Sequence, residues 1–383
     1  MPDLSPEERL AWLQLARCEG VGPIGFAALL ERHGSAKAVL AALRQRTGTD
    51  GRPPRFPTQD ALAAELAALK GLGGRMLAQP EEDYPALLRV LPDAPPVLAV
   101  RGDAGLLQRP AVAIVGARNA SGNGRLFARA LARELAEAGL VVVSGLARGI
   151  DTAAHEGALQ AGGATVAVIA AGVDVAYPPE NEALMARIAA EAAIVSERPL
   201  GAQARAKDFP RRNRVIAGLT FGIVVVEAAP QSGSLITARL AADYGREVMA
   251  VPGSPFDPRH KGTNQLLREG AHLVESAADV LAVLQPLVDR EPPMPRQQRR
   301  ARCPATAERP KAASEHPRTN PPEAPDSLAA RVAQALGAEP LAVDELIREC
   351  DAPAPDVQAA LLELELLGRI DRHPGNRVSL RAG

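Results

Sequence analysis

The chain has 383 residues, a formal net charge of −1, 46% hydrophobic residues and only 3% aromatic ones. That length suits two or three domains. A near-neutral total excludes a molecule-wide field for a polyanion, so a nucleic-acid site must be a local patch. Three scattered cysteines (Cys18, Cys303, Cys350) with no C-x-x-C pair indicate neither a disulfide framework nor a zinc site. Metal ligands in the usual spacings are absent. Neither a signal peptide nor an apolar run of about 18 residues is visible, so the expectation is a cytoplasmic protein without membrane contact.

Residues 1–78 read as a helical domain. Ser5-Pro6-Glu7-Glu8 opens a helix with proline in its first turn and acids beside the helix dipole. Gly20-Val21-Gly22-Pro23-Ile24-Gly25 turns into a second helix that ends at His33-Gly34. This resembles a helix-hairpin-helix unit, whose amides serve either a DNA phosphate or packing and partner contact. A loop at 47–57 and a helix at 58–70 follow.

Residues 79–290 begin with a proline-rich extended stretch carrying one strand, Val97 to Arg101, and then alternate strand and helix. The predicted strands are Ala111–Val115, Leu140–Ser144, Ala164–Ala170, Ala193–Ser196, Ile223–Glu227, Glu247–Val251 and His272–Val274. The predicted helices are Arg125–Ala138, Asp151–Ala161 (capped by Asp151), Asn181–Glu191, Phe209–Gly218, Leu235–Tyr244, Thr263–Gly270 and Ala277–Leu284. Short β-branched runs alternating with amphipathic helices predict an α/β fold, an extended Rossmann-like doubly wound parallel sheet. Ligands of that architecture bind at the carboxyl ends of the strands.

Residues 291–326 are proline-rich, carry Arg296, Arg299, Arg300 and Arg302, and lack Val, Ile, Leu and Phe. They read as a flexible linker. Residues 327–383 predict three helices (327–337, 341–350, 354–367) and a hairpin, the pattern of a winged helix. Its third helix carries Glu363 and Glu365, which favours a protein partner, or none, over DNA; Arg369, Arg372 and Arg377 of the wing keep DNA contact open.

Four stretches bear on chemistry. The loop Val115-Gly116-Ala117-Arg118-Asn119-Ala120-Ser121-Gly122-Asn123-Gly124 sits where a dinucleotide fingerprint would, but Arg118 takes the second glycine's place and Ser144, not an acid, ends the next strand. Nicotinamide binding is disfavoured. Arg118 with Ser121 as helix cap is a phosphate grip instead. In Ser144-Gly145-Leu146-Ala147-Arg148-Gly149-Ile150-Asp151, Arg148 is either a second cation or a partner of Asp151. His155 reads as structural. Lys207, Arg211, Arg212 and Arg214 surround Phe209, a composition suited to a charged polymer with flat bases. Ser232-Gly233-Ser234 with Thr237 opens a helix after a strand and suits phosphate contact. Glu227 is either a general base, as a nucleotide hydrolase would need, or the partner of an arginine in the 211–214 cluster, the preferred reading.

Together these motifs resemble the DNA-processing protein A (DprA/Smf) family. The carriers are Ile114 to Arg118, Ser144 to His155, Phe209-Pro210-Arg211-Arg212-Asn213-Arg214-Val215-Ile216-Ala217-Gly218-Leu219, Glu227-Ala228 with Ser232 to Ala238, Val251-Pro252-Gly253-Ser254, and Gly262 to Leu267 with Gly270-Ala271. The resemblance implies a single-stranded DNA binder without catalytic turnover, and no cofactor is expected. It implies loading of the recombinase RecA in natural transformation, past single-strand-binding protein. It implies a homodimer made near Asn264, Leu266 and Leu267. The positions it assigns to the strand are Arg118, Arg211, Arg212, Arg214 and the turn Ser232, Gly233, Ser234, with Phe209 as stacker; Ser121, Arg148, Lys207, Asn213 and Thr237 join them as candidates from their place in the same motifs. One departure stands out: where many members carry a lysine three residues before the Phe, this chain has Ala206, flanked by Arg205 and Lys207.

Overall fold

The computed structural model describes residues 4–45, 55–289, 328–336, 341–350, 352–366, 370–373 and 377–380. The chain separates into two compact units, one within Gln59–Pro293 and one combining Ser5–Thr58 with the carboxyl-terminal part.

The second unit starts with α1 (Pro6–Ala16), α2 (Pro23–His33) and α3 (Ala36–Gln45). The Ser5 hydroxyl accepts from the Glu8 N–H at 3.2 Å, the cap that the Ser-Pro-Glu-Glu start predicts. Gly22 caps α2 with Pro23 in its first turn, and Gly34 ends it in the left-handed region at φ 79°. The rings of Trp12 and Phe26 meet edge-on at 4.9 Å and fix α1 against α2.

The first unit runs through α4 (Gln59–Gly71), β1 (Gly74–Ala78), α5 (Ala86–Arg89), β2 (Val97–Gly102), β3 (Ala111–Val115), α6 (Gly122–Glu137), β4 (Val141–Ser144), α7 (Ile150–Gln160), β5 (Thr165–Val168), α8 (Glu182–Glu191), β6 (Ala193–Ser196), α9 (Asp208–Gly218), β7 (Gly222–Val225), α10 (Gly233–Asp243), β8 (Glu247–Ala250), α11 (Lys261–Arg268), β9 (His272–Leu273) and α12 (Ala277–Val288). Its nine strands lie in the order β1-β2-β6-β5-β4-β3-β7-β8-β9. The pairs β1–β2 and β2–β6 are antiparallel and the rest parallel. Val112 pairs with Val142 on one side and Gly222 on the other, which places β3 in the middle of the seven parallel strands. Helices cover both faces, so the central strands are apolar throughout rather than alternating. On one face Val112, Ile114, Val142 and Val224 pack under Ala128, Leu131 and Leu135 of α6, Ala154 and Ala158 of α7, and Val280 and Leu284 of α12.

The doubly wound sheet matches the expectation, with two differences. Helix α4 and strand β1, read with the amino-terminal helices, belong to the sheet-bearing unit. Strand β1 escapes a pattern reading because Gly74-Arg75 carries no β signal; it forms by pairing with β2. Helix α7 is capped by Gly149 rather than Asp151, which lies in the first turn with its carboxylate turned back on the preceding loop.

The second unit closes with α13 (Leu328–Ala335), β10 (Leu341–Ala342), α14 (Val343–Glu349), α15 (Ala354–Leu366), β11 (Ile370–His373) and β12 (Arg377–Leu380). A small antiparallel sheet, β10-β12-β11, and three helices share a core of Val332, Leu346, Val357, Leu361, Ile370 and Val378, a winged helix. Its third helix, α15, also packs on α2. The predicted linker at 291–326 lies outside the described residues. Among those described, no helix is long and apolar enough to cross a membrane.

Candidate functional site

Strand β3 has β4 on one side and β7 on the other, and the chain winds away in both directions, so the ligand crevice of this architecture opens at the carboxyl ends of β3 and β7. Glu227 lies two residues past the end of β7 and is buried. Its carboxylate accepts from the Ser121 N–H at 2.9 Å and from the Ser121 hydroxyl. Ser121 in turn accepts from the Gly124 N–H at 2.8 Å and caps α6. The internal carboxylate thus takes the helix N-terminus on which dinucleotide folds seat a pyrophosphate. A Cβ on Gly124 would lie 2.5 Å from Glu227 Oε1, so glycine is required there. Glu227 therefore pairs with Ser121, with His260 Nε2 at 3.9 Å, and not with an arginine of the 211–214 cluster.

Beside this stitched crevice lies a pocket of about 150 Å³, walled by the loops after β3, β4 and β5 and the first turn of α9. It has room for a phosphate and part of a sugar, since a water takes roughly 30 Å³. Arg212 forms its inner wall. The side chain is buried; Nη1 donates to the Val168 carbonyl at 3.2 Å and stands 3.9 Å from Asp151 Oδ2. Its Nε is buried without a hydrogen-bond partner. Burial lowers the pKa of Arg212, Asp151 opposes the shift and Arg118 adds to it. Asp151 accepts from the N–H groups of Gly145 (3.0 Å) and Ala147 (3.3 Å) and so shapes the loop beneath the guanidinium. That loop needs the left-handed region at Leu146 (φ 55°) and Gly149 (φ 80°). His155 is structural, as expected: Nδ1–H donates to Thr165 Oγ1 at 2.8 Å, and Nε2 accepts from the Leu146 N–H at 3.3 Å.

Arg118 stands across from Arg212, its guanidinium carbon 5.1 Å from the centre of the Phe209 ring. Tyr177 lies on the rim with its ring centre 5.6 Å from that of Phe209. Arg148 lines the same pocket and forms an ion pair with Glu180, not with Asp151. The lining thus holds Arg118, Arg148, Arg212, Phe209 and Tyr177 and no carboxylate.

The other predicted residues divide. Lys207 and Arg211 are exposed at the start of α9. Asn213 donates to the Gly233 carbonyl at 3.3 Å and joins α9 to the turn at Ser232, Gly233 and Ser234; Thr237 donates to the same carbonyl at 3.2 Å. The Ser232 and Ser234 hydroxyls meet at 2.7 Å. Arg214 points elsewhere: it binds Glu197 at 2.5 Å and the Asp93 carbonyl, within a half-buried network where Tyr244 donates to Asp93 at 2.7 Å. Asn264 brackets Gly253 with bonds of 3.2 and 2.9 Å, and Leu266 is in the core, so both are engaged within the chain; Leu267 is half-buried. Sequence reasoning overlooked Tyr177. Its signal was an aromatic in the loop after the predicted strand Ala164–Ala170, in Tyr177-Pro178.

The fold and site define a Rossmann-like protein whose strand-end pocket is cationic and aromatic, flanked by helical and winged-helix modules. The model of the family described as DNA recombination-mediator protein A matches residues 75–285, and those of the DprA-like N-terminal HHH domain and the DprA winged helix domain match 6–68 and 316–376. The chain belongs to the DNA-processing protein A (DprA/Smf) family. It is 37% identical over 323 residues to protein Smf of Synechocystis, covering 80% of each chain. It is 47% identical over 202 residues to DNA processing protein DprA of Streptococcus pneumoniae, covering 53% of this chain and 71% of that one. The crystal structure of the S. pneumoniae protein is similar with a TM-score of 0.62 at 34% identity, covering 73% of this chain and 98% of that one. A structure of DNA processing protein A from Helicobacter pylori, described for its single-stranded DNA binding mode, is similar with a TM-score of 0.51 at 32% identity, covering 56% and 96%.

Proposed function

We propose that this chain binds single-stranded DNA in the pocket between Arg118 and Arg212, shields incoming strands in natural transformation in the cytoplasm, and loads RecA onto them past single-strand-binding protein, without catalytic turnover. The observation that carries the reading is a lining of three arginines and two aromatic rings with no carboxylate. Such a lining favours phosphates and flat bases together. The H. pylori relative, described for its single-strand binding, supports the choice of ligand. Lys207, Arg211 and the Ser232–Ser234 turn extend the surface that a strand would follow. Commitment of Glu227 to Ser121 supports the absence of turnover, since it leaves the crevice without a free general base. Pairing of two copies through the late part of the α/β unit is supported by the short edge strand β9, where Leu273 is 50% exposed.

The test is fluorescence anisotropy of a labelled oligonucleotide, single-stranded against duplex, over a salt series. About four phosphate contacts predict a log–log salt slope near −3 for a single strand. An Arg118→Ala/Arg212→Ala variant should lose most single-strand affinity and flatten the slope; equal binding by that variant would move the DNA site elsewhere. For the recombinase step, RecA assembly on a strand precoated with single-strand-binding protein should start sooner with the chain than without it. An unchanged lag would remove that part of the proposal.

A further inference from the structure

We propose that Tyr177, rather than Phe209, is the ring on which a nucleobase of the bound strand stacks; this rests on the pocket being the single-strand site. Phe209 already has company. Arg118 lies 5.1 Å from its ring centre, and the Tyr177 ring leans on it at 5.6 Å and 56°. A base stacking on Phe209 would have to displace either the guanidinium needed for phosphate or the neighbouring ring. Phe209 is then a positioning residue: its π-face fixes Arg118, which has no ion pair among the described residues.

Tyr177 has what Phe209 lacks. It is 44% exposed at the rim of a pocket whose charged lining is Arg118, Arg148 and Arg212. The loop that carries it is held from behind. Asn181, itself buried, donates to the Leu146 carbonyl at 2.9 Å and to Thr152 Oγ1 at 3.0 Å, and Glu180 pairs with Arg148. A large ring on a fixed loop is presented to solvent at little conformational cost on binding, which suits a stacking platform. Arg118, Phe209 and Tyr177 then form one contiguous row of contacts with the base on the open face of Tyr177, and Arg118 and Arg212 lie on the adjoining phosphates.

The test uses the full chain and two oligonucleotides of equal length, one normal and one with abasic sites throughout, in anisotropy titrations at one salt concentration. Tyr177→Ala should weaken binding of the normal strand by about ten- to a hundred-fold, the range for one stacked base, and leave the abasic strand unchanged. Tyr177→Phe should retain normal affinity, because the ring and not the hydroxyl is used. Phe209→Ala should weaken both strands, because it frees Arg118. Thermal melts of each variant establish that the fold is kept. Equal losses on both strands for Tyr177→Ala, or no loss on either, would overturn the proposal. Undiminished binding of both strands by Arg118→Ala/Arg212→Ala would instead overturn the pocket reading, and a base-dependent loss from Tyr177→Ala could still appear beside it.

Discussion

The guanidinium of Arg212 fills the space that a side chain at Gly145 would need: a Cβ there would fall 1.3 Å from Nη1. The flexible end of Arg212 can yield more readily than the loop, which is tied down by Asp151. Gly145→Ala should therefore fold but carry Arg212 out of register. Loss of one charge-assisted contact predicts about ten-fold weaker single-strand binding or more. Anisotropy paired with a thermal melt separates this from general damage; full affinity in the variant would mean that Arg212 does not touch the strand.

Arg211 and Arg214 lie in one motif but should behave as opposites. Arg214 pairs with the half-buried Glu197 and donates to the Asp93 carbonyl, so Arg214→Ala removes both contacts and should cost about 2 kcal/mol of stability. Arg211 is exposed, and Arg211→Ala should leave urea stability within about 0.5 kcal/mol of wild type while reducing DNA affinity. Denaturation curves and binding titrations on the two variants decide the matter.

Removing Glu227 empties the seat at the start of α6. Glu227→Ala strands the Ser121 N–H and should destabilise by about 1–3 kcal/mol. The vacated helix N-terminus should then accept inorganic phosphate. Added phosphate is expected to raise the melting temperature of the variant and to have little specific effect on wild type. No difference between the two would show that the carboxylate was not holding that position against anions.

Burial, helped by Arg212, depresses the pKa of His155 from 6.5 to about 3. Protonation would also place a hydrogen on Nε2 against the Leu146 N–H. Between pH 6.5 and about 3 the unfolded chain binds a proton that the folded chain refuses. Stability from this group is present above pH 6.5 and is lost as pH falls, by at most about 1.4 kcal/mol per pH unit. Asp151 and Glu197 have pKa values raised by burial and act in the opposite sense, above their ordinary values of 3.8 and 4.5. His155→Gln should be less stable than wild type at neutral pH, and the advantage of wild type in urea unfolding should shrink from pH 6.5 to 5 as the His155 contribution is lost.

Much of this was readable from the residues alone. The parallel strands announce themselves because both of their faces are covered, which writes near-continuous Val and Ile runs at β3, β4 and β7. Arg118, Arg212 and Phe209 were placed in one site because strand ends converge in this architecture. Partnerships made across the chain were not readable. Glu227 and Ser121 are 106 positions apart, and which of several cations or helix ends a lone acid will meet depends on packing. The same holds for Arg214, whose partners include the Asp93 carbonyl, 121 positions away. Strand β1 is defined by its neighbour, and Tyr177 by a pocket that three loops must first build.

The carboxylate lodged at the head of α6 makes that end of the crevice self-contained. In dinucleotide folds a soluble anion takes the corresponding place and comes and goes with its concentration. Here the occupant is covalently part of the polypeptide and can be neither diluted nor exhausted, so the head of α6 keeps its counter-charge whatever the solution holds.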